Sequence, residues 1–353
     1  MLTLDDKSTS PLRGFMSKSI YLVAVLICSM LLSSCTGPQK FRQAKSYHYG
    51  MHCYQHKVRY DDKLKKPAWA LIKQYSPEGT FMIEQHRKQT RKVCNAETEH
   101  FASFINTKEK QDDLNYLISI TTSVHEMAHN FTSMMPASKA FKIIPKGKYH
   151  WVYLNSPYGE LAYYLPDKGT VYVPTTPTWP ARKMDSDIPT ELKDFTYQQY
   201  IAGQHGSNVI GVYALLDEFH AYFHDHQMSE RMMRSKQVEF FEPGDYLNFL
   251  YFKYYILAYL DYGRRHHSGM YQDILANKIF VQTFLSIHDR FEKLHHQHLA
   301  YRKANNINRG KGRYTHNGKT IVYHGLDEKY AQLTKALNQS EIKGMMQILR
   351  KAW

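Results

Sequence analysis

The chain has 353 residues, 43% hydrophobic and 14% aromatic, which supports one large or two modest domains with a buried core and excludes wholesale disorder. Lys and Arg outnumber Asp and Glu 46 to 32, a formal charge of +14, which attracts acidic surfaces of every kind and selects none of them. Four cysteines are too few for a disulfide scaffold, and no apolar run long enough to cross a bilayer follows residue 35, so a collagen, a coiled coil and a polytopic membrane protein are excluded.

Basic Lys7, Arg13 and Lys18 precede an apolar stretch from Ile20 to Leu32, the order of an export signal. The stretch ends in Leu32-Ser33-Ser34-Cys35, which resembles the bacterial lipobox. That resemblance implies removal of residues 1–34 as a lipoprotein signal peptide and acylation of Cys35. Thr36 in place of Asp then implies the outer membrane, facing the periplasm. The signal carries Lys7, Arg13 and Lys18 against Asp5 and Asp6, so the positive charge belongs to the mature chain. Cys28 leaves with the signal and Cys35 carries lipid, so Cys53 and Cys94 remain. In an oxidising compartment they are expected to pair, closing a loop of about 40 residues worth roughly 3 to 4 kcal/mol.

Residues 35–47 read as a tether and 48–353 as a single domain, with 48–110 a subregion of mixed pattern. Ser76-Pro77-Glu78 predicts a helix start, Ser as N-cap and Pro in the first turn, with helix running toward Ile105. Leu114, Leu117, Ile118, Val124, Ala128, Phe131 and Met135 recur at three- and four-residue steps, predicting a helix with one buried face that ends at Pro136. Tyr149 to Tyr153 and Thr170 to Val173 predict a small antiparallel sheet. Pro174, Pro177, Pro180 and Pro189 predict an extended loop. Helical spacing returns over 207–227, 246–262 and 271–303; Asn248 and Lys253 mark the second as a core helix rather than a membrane span. Asn317-Gly318 between β-prone flanks predicts a hairpin, and one or two short helices close the chain. The fold class is α+β, mainly α.

His125-Glu126-Met127-Ala128-His129 is an H-E-x-x-H motif inside the strongest helix. Histidines four apart share one helical face and reach a single ion, and the glutamate stands beside the water to be deprotonated. A catalytic site needs three protein ligands and an open position. Asn130 to Met135 lack the glycine and histidine of a metzincin extension, so the third ligand comes from elsewhere. Glu218 is the candidate, with small Gly211, Ala214 and Ala221 on its face to admit a close helix; His205, in Gly203-Gln204-His205-Gly206, is the reserve.

Through these two motifs the stretch from about 112 to 226 resembles the gluzincin class of zinc metallopeptidases, the thermolysin-like set. The resemblance implies a zincin-like helical catalytic domain, Zn2+ held by His125, His129 and Glu218, and Glu126 as general base and proton shuttle. Two departures stand out. Tyr222 occupies the place of an aspartate that thermolysin has four residues after its ligand glutamate, so support for a ligand histidine falls to the Tyr222 hydroxyl or to Asp217. The clearest strands follow the zinc helix instead of preceding it. For the oxyanion of the tetrahedral intermediate, Tyr222 is the first choice of donor, with His205 and Tyr213 behind it.

His220, His224 and His226, His266-His267, and His295-His296 with His298 read as solvated surface histidines, and Glu230 as lying beyond the end of its helix. The expected function is zinc-dependent hydrolysis of peptide bonds in the cell envelope, with peptides, proteins or peptidoglycan cross-links as substrates. The membrane is reached through the N-terminal lipid, and no nucleic-acid partner is expected. The competing reading is a non-catalytic envelope lipoprotein that binds a partner or an anionic polymer through a basic, Tyr-rich surface.

Overall fold

The computed structural model describes residues 47–53, 62–94, 100–105, 114–137, 141–146, 149–156, 159–203, 206–235, 246–304, 312–316, 319–323 and 326–353. Residues 1–46, on which the expected signal peptide, Cys35 and most of the expected tether fall, lie outside the described residues, as do His205, Asn317-Gly318 and the side chains of Cys53 and Cys94. The fold is α+β, mainly α, and Phe41–Trp353 makes one compact unit.

Three small antiparallel sheets accompany the helices. β1 (Tyr47–Cys53) and β2 (Phe141–Lys146) flank β3 (Tyr149–Ser156), in the order β1-β3-β2. β4 (Glu160–Leu165) pairs with β5 (Gly169–Pro174). β6 (Gly312–His316) pairs with β7 (Lys319–Tyr323) where the Asn-Gly spacing predicts a hairpin. The two segments expected to share a sheet therefore lie in different ones. β5 is paired to β4 just before it, where a short connection costs little closure entropy, whereas β3 is paired both to β2 just before it and to the distant β1.

The principal helices are α1 (Asp62–Tyr75), α2 (Pro77–Cys94), α3 (Leu114–Ala137), α4 (Val212–Arg234), α5 (Tyr246–His266), α6 (Ser268–Ala276), α7 (Lys278–Ala304), α8 (Leu326–Leu337) and α9 (Ser340–Ala352). Ser76 caps α2 as its spacing predicts, its Oγ accepting from Gly79 N at 3.0 Å. That helix stops at Cys94, and a 3-10 turn at His100–Phe104 replaces the rest of the expected run. The proline-rich loop holds two more 3-10 turns, Ala181–Asp187 and Thr190–Leu192, each directly behind a proline. The run at 271–303 is divided at Asn277, whose side-chain oxygen accepts from Phe280 N at 3.1 Å and starts α7 afresh.

Gly211, at φ +58°, divides the run from 207 into a short helix, Ser207–Ile210, and α4. No Cβ fits at this position: it would meet the Tyr259 hydroxyl and Thr178. α4 continues to Arg234, so Glu230 is inside the helix, buried between His298 and Arg234. The helix thus runs past the end near residue 227 that the helical spacing predicts.

Two apolar cores meet on α4. Leu215, Phe219 and Phe223 pack into the larger one with α5 and α7, while Ala221, Met228 and Met232 pack into the smaller one with Ile72, Met82, Val124 and Ala128. A helix buried on opposite faces shows no single apolar stripe. Tyr116, Tyr163, Tyr213, Tyr254, Tyr255 and Tyr259 are fully buried, so much of the tyrosine content belongs to the core and not to a Tyr-rich surface. Among the described residues no helix is long and apolar enough to cross a membrane.

Candidate metal centre

α3 and α4 pack side by side, and their contact brings the H-E-x-x-H histidines to Glu218. α3 is itself fixed from behind. Ser123 Oγ donates to Phe101 O at 2.7 Å, and Gly79 of α2 lies so close that a Cβ there would stand 2.9 Å from Val124. Of the three small residues on the Glu218 face, only Ala221 joins the core around Val124 and Ala128. Ala214 faces Gly206, and Gly211 faces Tyr259.

The donor atoms form a nearly equilateral triangle. His125 Nε2 and His129 Nε2 are 3.1 Å apart, and Glu218 Oε2 lies 3.7 Å from the first and 3.4 Å from the second. For a tetrahedral zinc with bonds of about 2.0–2.1 Å, neighbouring ligand atoms stand about 3.3 Å apart. The triangle has that size, and two imidazoles with one carboxylate are a donor set that suits zinc. Glu218 Oε2 is buried and accepts no hydrogen bond, so a bound cation would satisfy that oxygen. His125, His129 and Glu218 thus fit the ion that the sequence motif implies.

Asp217, one residue before Glu218, accepts from His129 Nδ1 at 2.8 Å. It supports His129 by orienting the ring so that Nε2, and not Nδ1, faces the other two donors. Burial alone would lower the His129 pKa, but the charges of Asp217 and Glu218, with the hydrogen bond to Asp217, outweigh it and hold it well above the ordinary histidine range. His125 goes the other way, held well below that range by burial and by neighbouring His129 and His220. Burial lifts Glu126 above the usual carboxylate value; His129 opposes this, and Glu218 and Asp217 add to it.

Tyr222 lies edge-on to His125, ring centroids 4.3 Å apart, and its hydroxyl is 2.9 Å from that of Tyr200. Tyr200 sits on a π-helical turn, Gln198–Ala202, where burial and then the charge of Glu218 push its pKa up. No sequence motif marks Tyr200; its one local signal is the irregular aromatic stretch around it. Tyr213 is removed as an oxyanion donor. It is buried, and its hydroxyl is taken by Thr176 N at 3.0 Å, Thr176 Oγ1 at 2.9 Å and Asn277 at 3.3 Å.

Of the eight histidines read as surface residues, five depart from that reading. His220, His224, His226, His295 and His298 are buried, while His266 and His296 are exposed and His267 is half-buried. The miss has one cause: α4 and α7 are covered on several faces, so a polar residue within them is no guide to solvent. His220 Nε2 lies against the backbone of Tyr164 in β4 and 3.0 Å from His224 Nε2, and burial keeps both rings neutral.

A second acidic group, His288, Asp289 and Glu292, has its charge met from the protein. Lys253 Nζ contacts Glu292 at 2.9 Å, and Arg350 pairs with Asp289. None of the known protein-family models, curated proteins or solved structures matches this chain.

Proposed function

We propose that this chain is a zinc-dependent peptidase of gluzincin type, exported as a lipoprotein to the bacterial cell envelope. The observation that carries the proposal is the triangle of His125 Nε2, His129 Nε2 and Glu218 Oε2, with sides of 3.1, 3.4 and 3.7 Å, assembled from residues of two helices that stand 89 to 93 positions apart in sequence. Zinc bound there would polarise the scissile carbonyl and acidify the attacking water.

The remaining chemistry falls to the chain's own groups. The Glu126 carboxylate, with its raised proton affinity, takes the proton of the attacking water and returns it to the leaving amine. The Tyr222 hydroxyl, braced by Tyr200, donates to the oxyanion as the carbonyl becomes tetrahedral. Asp217 holds the His129 ring in its ligating tautomer.

The test is metal analysis of the purified protein beside its Glu218→Ala variant, followed by assays on a peptide library and on cross-linked peptidoglycan. About one zinc per chain and hydrolysis of either substrate is the expected result. Stoichiometric zinc without hydrolysis would favour the non-catalytic lipoprotein.

A further inference from the structure

A cavity of about 740 Å³ lies away from the metal centre, among α5, α7, α8 and α9. Its size is that of a small-molecule site. Phe249, Leu250 and Leu257 of α5, Leu337 of α8, and Ile342 and Met346 of α9 supply apolar walls. The charged groups on its lining are four cations, Lys253, Lys343, Arg350 and Lys351, against the single carboxylate Glu292.

Two of those cations are matched within the protein, Lys253 by Glu292 at 2.9 Å and Arg350 by Asp289. Lys343 and Lys351 have no carboxylate partner among the described residues. They stand with Gln347 at four-residue steps along α9, which puts all three on one face. Lys343 is in the first turn of that helix, where the backbone dipole already presents positive charge. The cavity therefore joins an aliphatic interior to a column of uncompensated positive charge on one wall.

We propose that this cavity binds a single-chain anionic amphiphile, a free fatty-acid anion, with the chain among Leu257, Leu337 and Met346 and the carboxylate at Lys343 and Lys351. A small inorganic anion would leave the apolar walls unused, and a neutral chain would leave the lysines unmatched. The proposal is independent of the zinc centre.

Calorimetric titration of the full chain with dodecanoate, acetate and dodecyl maltoside tests it. Dodecanoate should saturate one site per chain, and the other two should bind at least about tenfold more weakly. The K343E/K351E double variant should lose at least about tenfold in dodecanoate affinity while keeping its melting temperature, since both lysines are exposed. Met346→Trp, which fills the cavity from its half-buried edge, should weaken binding as well. Absence of saturable dodecanoate binding, equal affinity for the maltoside, or an unchanged affinity in the folded charge-reversal variant would overturn the proposal. If that variant does not fold, the three-ligand comparison on the parent chain still decides.

Discussion

Asp217 Oδ2 accepts a hydrogen bond from His129 Nδ1 at 2.8 Å, and that bond determines which ring nitrogen faces His125 and Glu218. Because Asp217 and Glu218 are consecutive, one short stretch of α4 addresses both nitrogens of the same imidazole. Asp217→Asn keeps the size of the side chain but removes its charge. Zinc affinity should fall about 10- to 100-fold without loss of the fold, measured by competition with a chelator. An unchanged affinity would show that the bond is idle.

Glu218→Ala should remove zinc and activity together, because two neutral imidazoles lack the third bond and the negative charge of a closed site. Glu218→Gln should lose nearly as much, an amide oxygen being a poorer zinc donor. If the alanine variant is folded by circular dichroism and holds zinc with parental affinity, the ligand assignment fails. Glu230 cannot serve as the neutral control that its sequence position suggests. It is buried against His298, and its removal should lower the melting temperature.

Glu126→Gln preserves shape and hydrogen bonding but cannot take up a proton. Turnover should drop by about 10²- to 10⁴-fold with zinc content unchanged. A variant as active as the parent would exclude Glu126 as the base.

Zinc uptake should depend on pH in a direction set by His129. In the metal-free chain its pKa lies above the ordinary histidine range, because Asp217 and Glu218 outweigh burial, so the ring is protonated at neutral pH and the ion must displace that proton. Affinity should therefore rise with pH, by about tenfold per unit, until the His129 pKa is passed. Proton release, read from binding heats in two buffers of different ionisation enthalpy, should accompany uptake. A pH-independent affinity would contradict the assigned protonation.

Gly211→Ala should destabilise the fold by about 1–3 kcal/mol, since alanine is strained at φ +58° and its Cβ meets the Tyr259 hydroxyl. That hydroxyl also accepts from Trp179 N at 3.0 Å and donates to Trp179 O at 2.6 Å, so displacing it disturbs the start of α4 and the loop packed on it. Urea unfolding measures the loss.

The sequence by itself determined the α+β, mainly helical class, the helix around His125 and His129, the cap at Ser76 and the hairpin strands flanking Asn317-Gly318. Each of these depends on spacing within a few residues: three- and four-residue apolar steps, a side chain reaching the next turn, a two-residue turn. Glu218 was legible as the candidate ligand and Asp217 as one of two candidate supports for a histidine, but which carboxylate reaches which ring nitrogen was not. A hundred degrees of helix rotation separates adjacent side chains, and only the position of His129 on the facing helix shows which carboxylate reaches which nitrogen. Tyr200 joins the site through a π-helical turn that has no periodic signature. The buried histidines were misread for a related reason. Pattern reading infers solvent from polarity along one helix, whereas α4 lies between two cores, and what covers each of its faces is decided by segments far away in the chain.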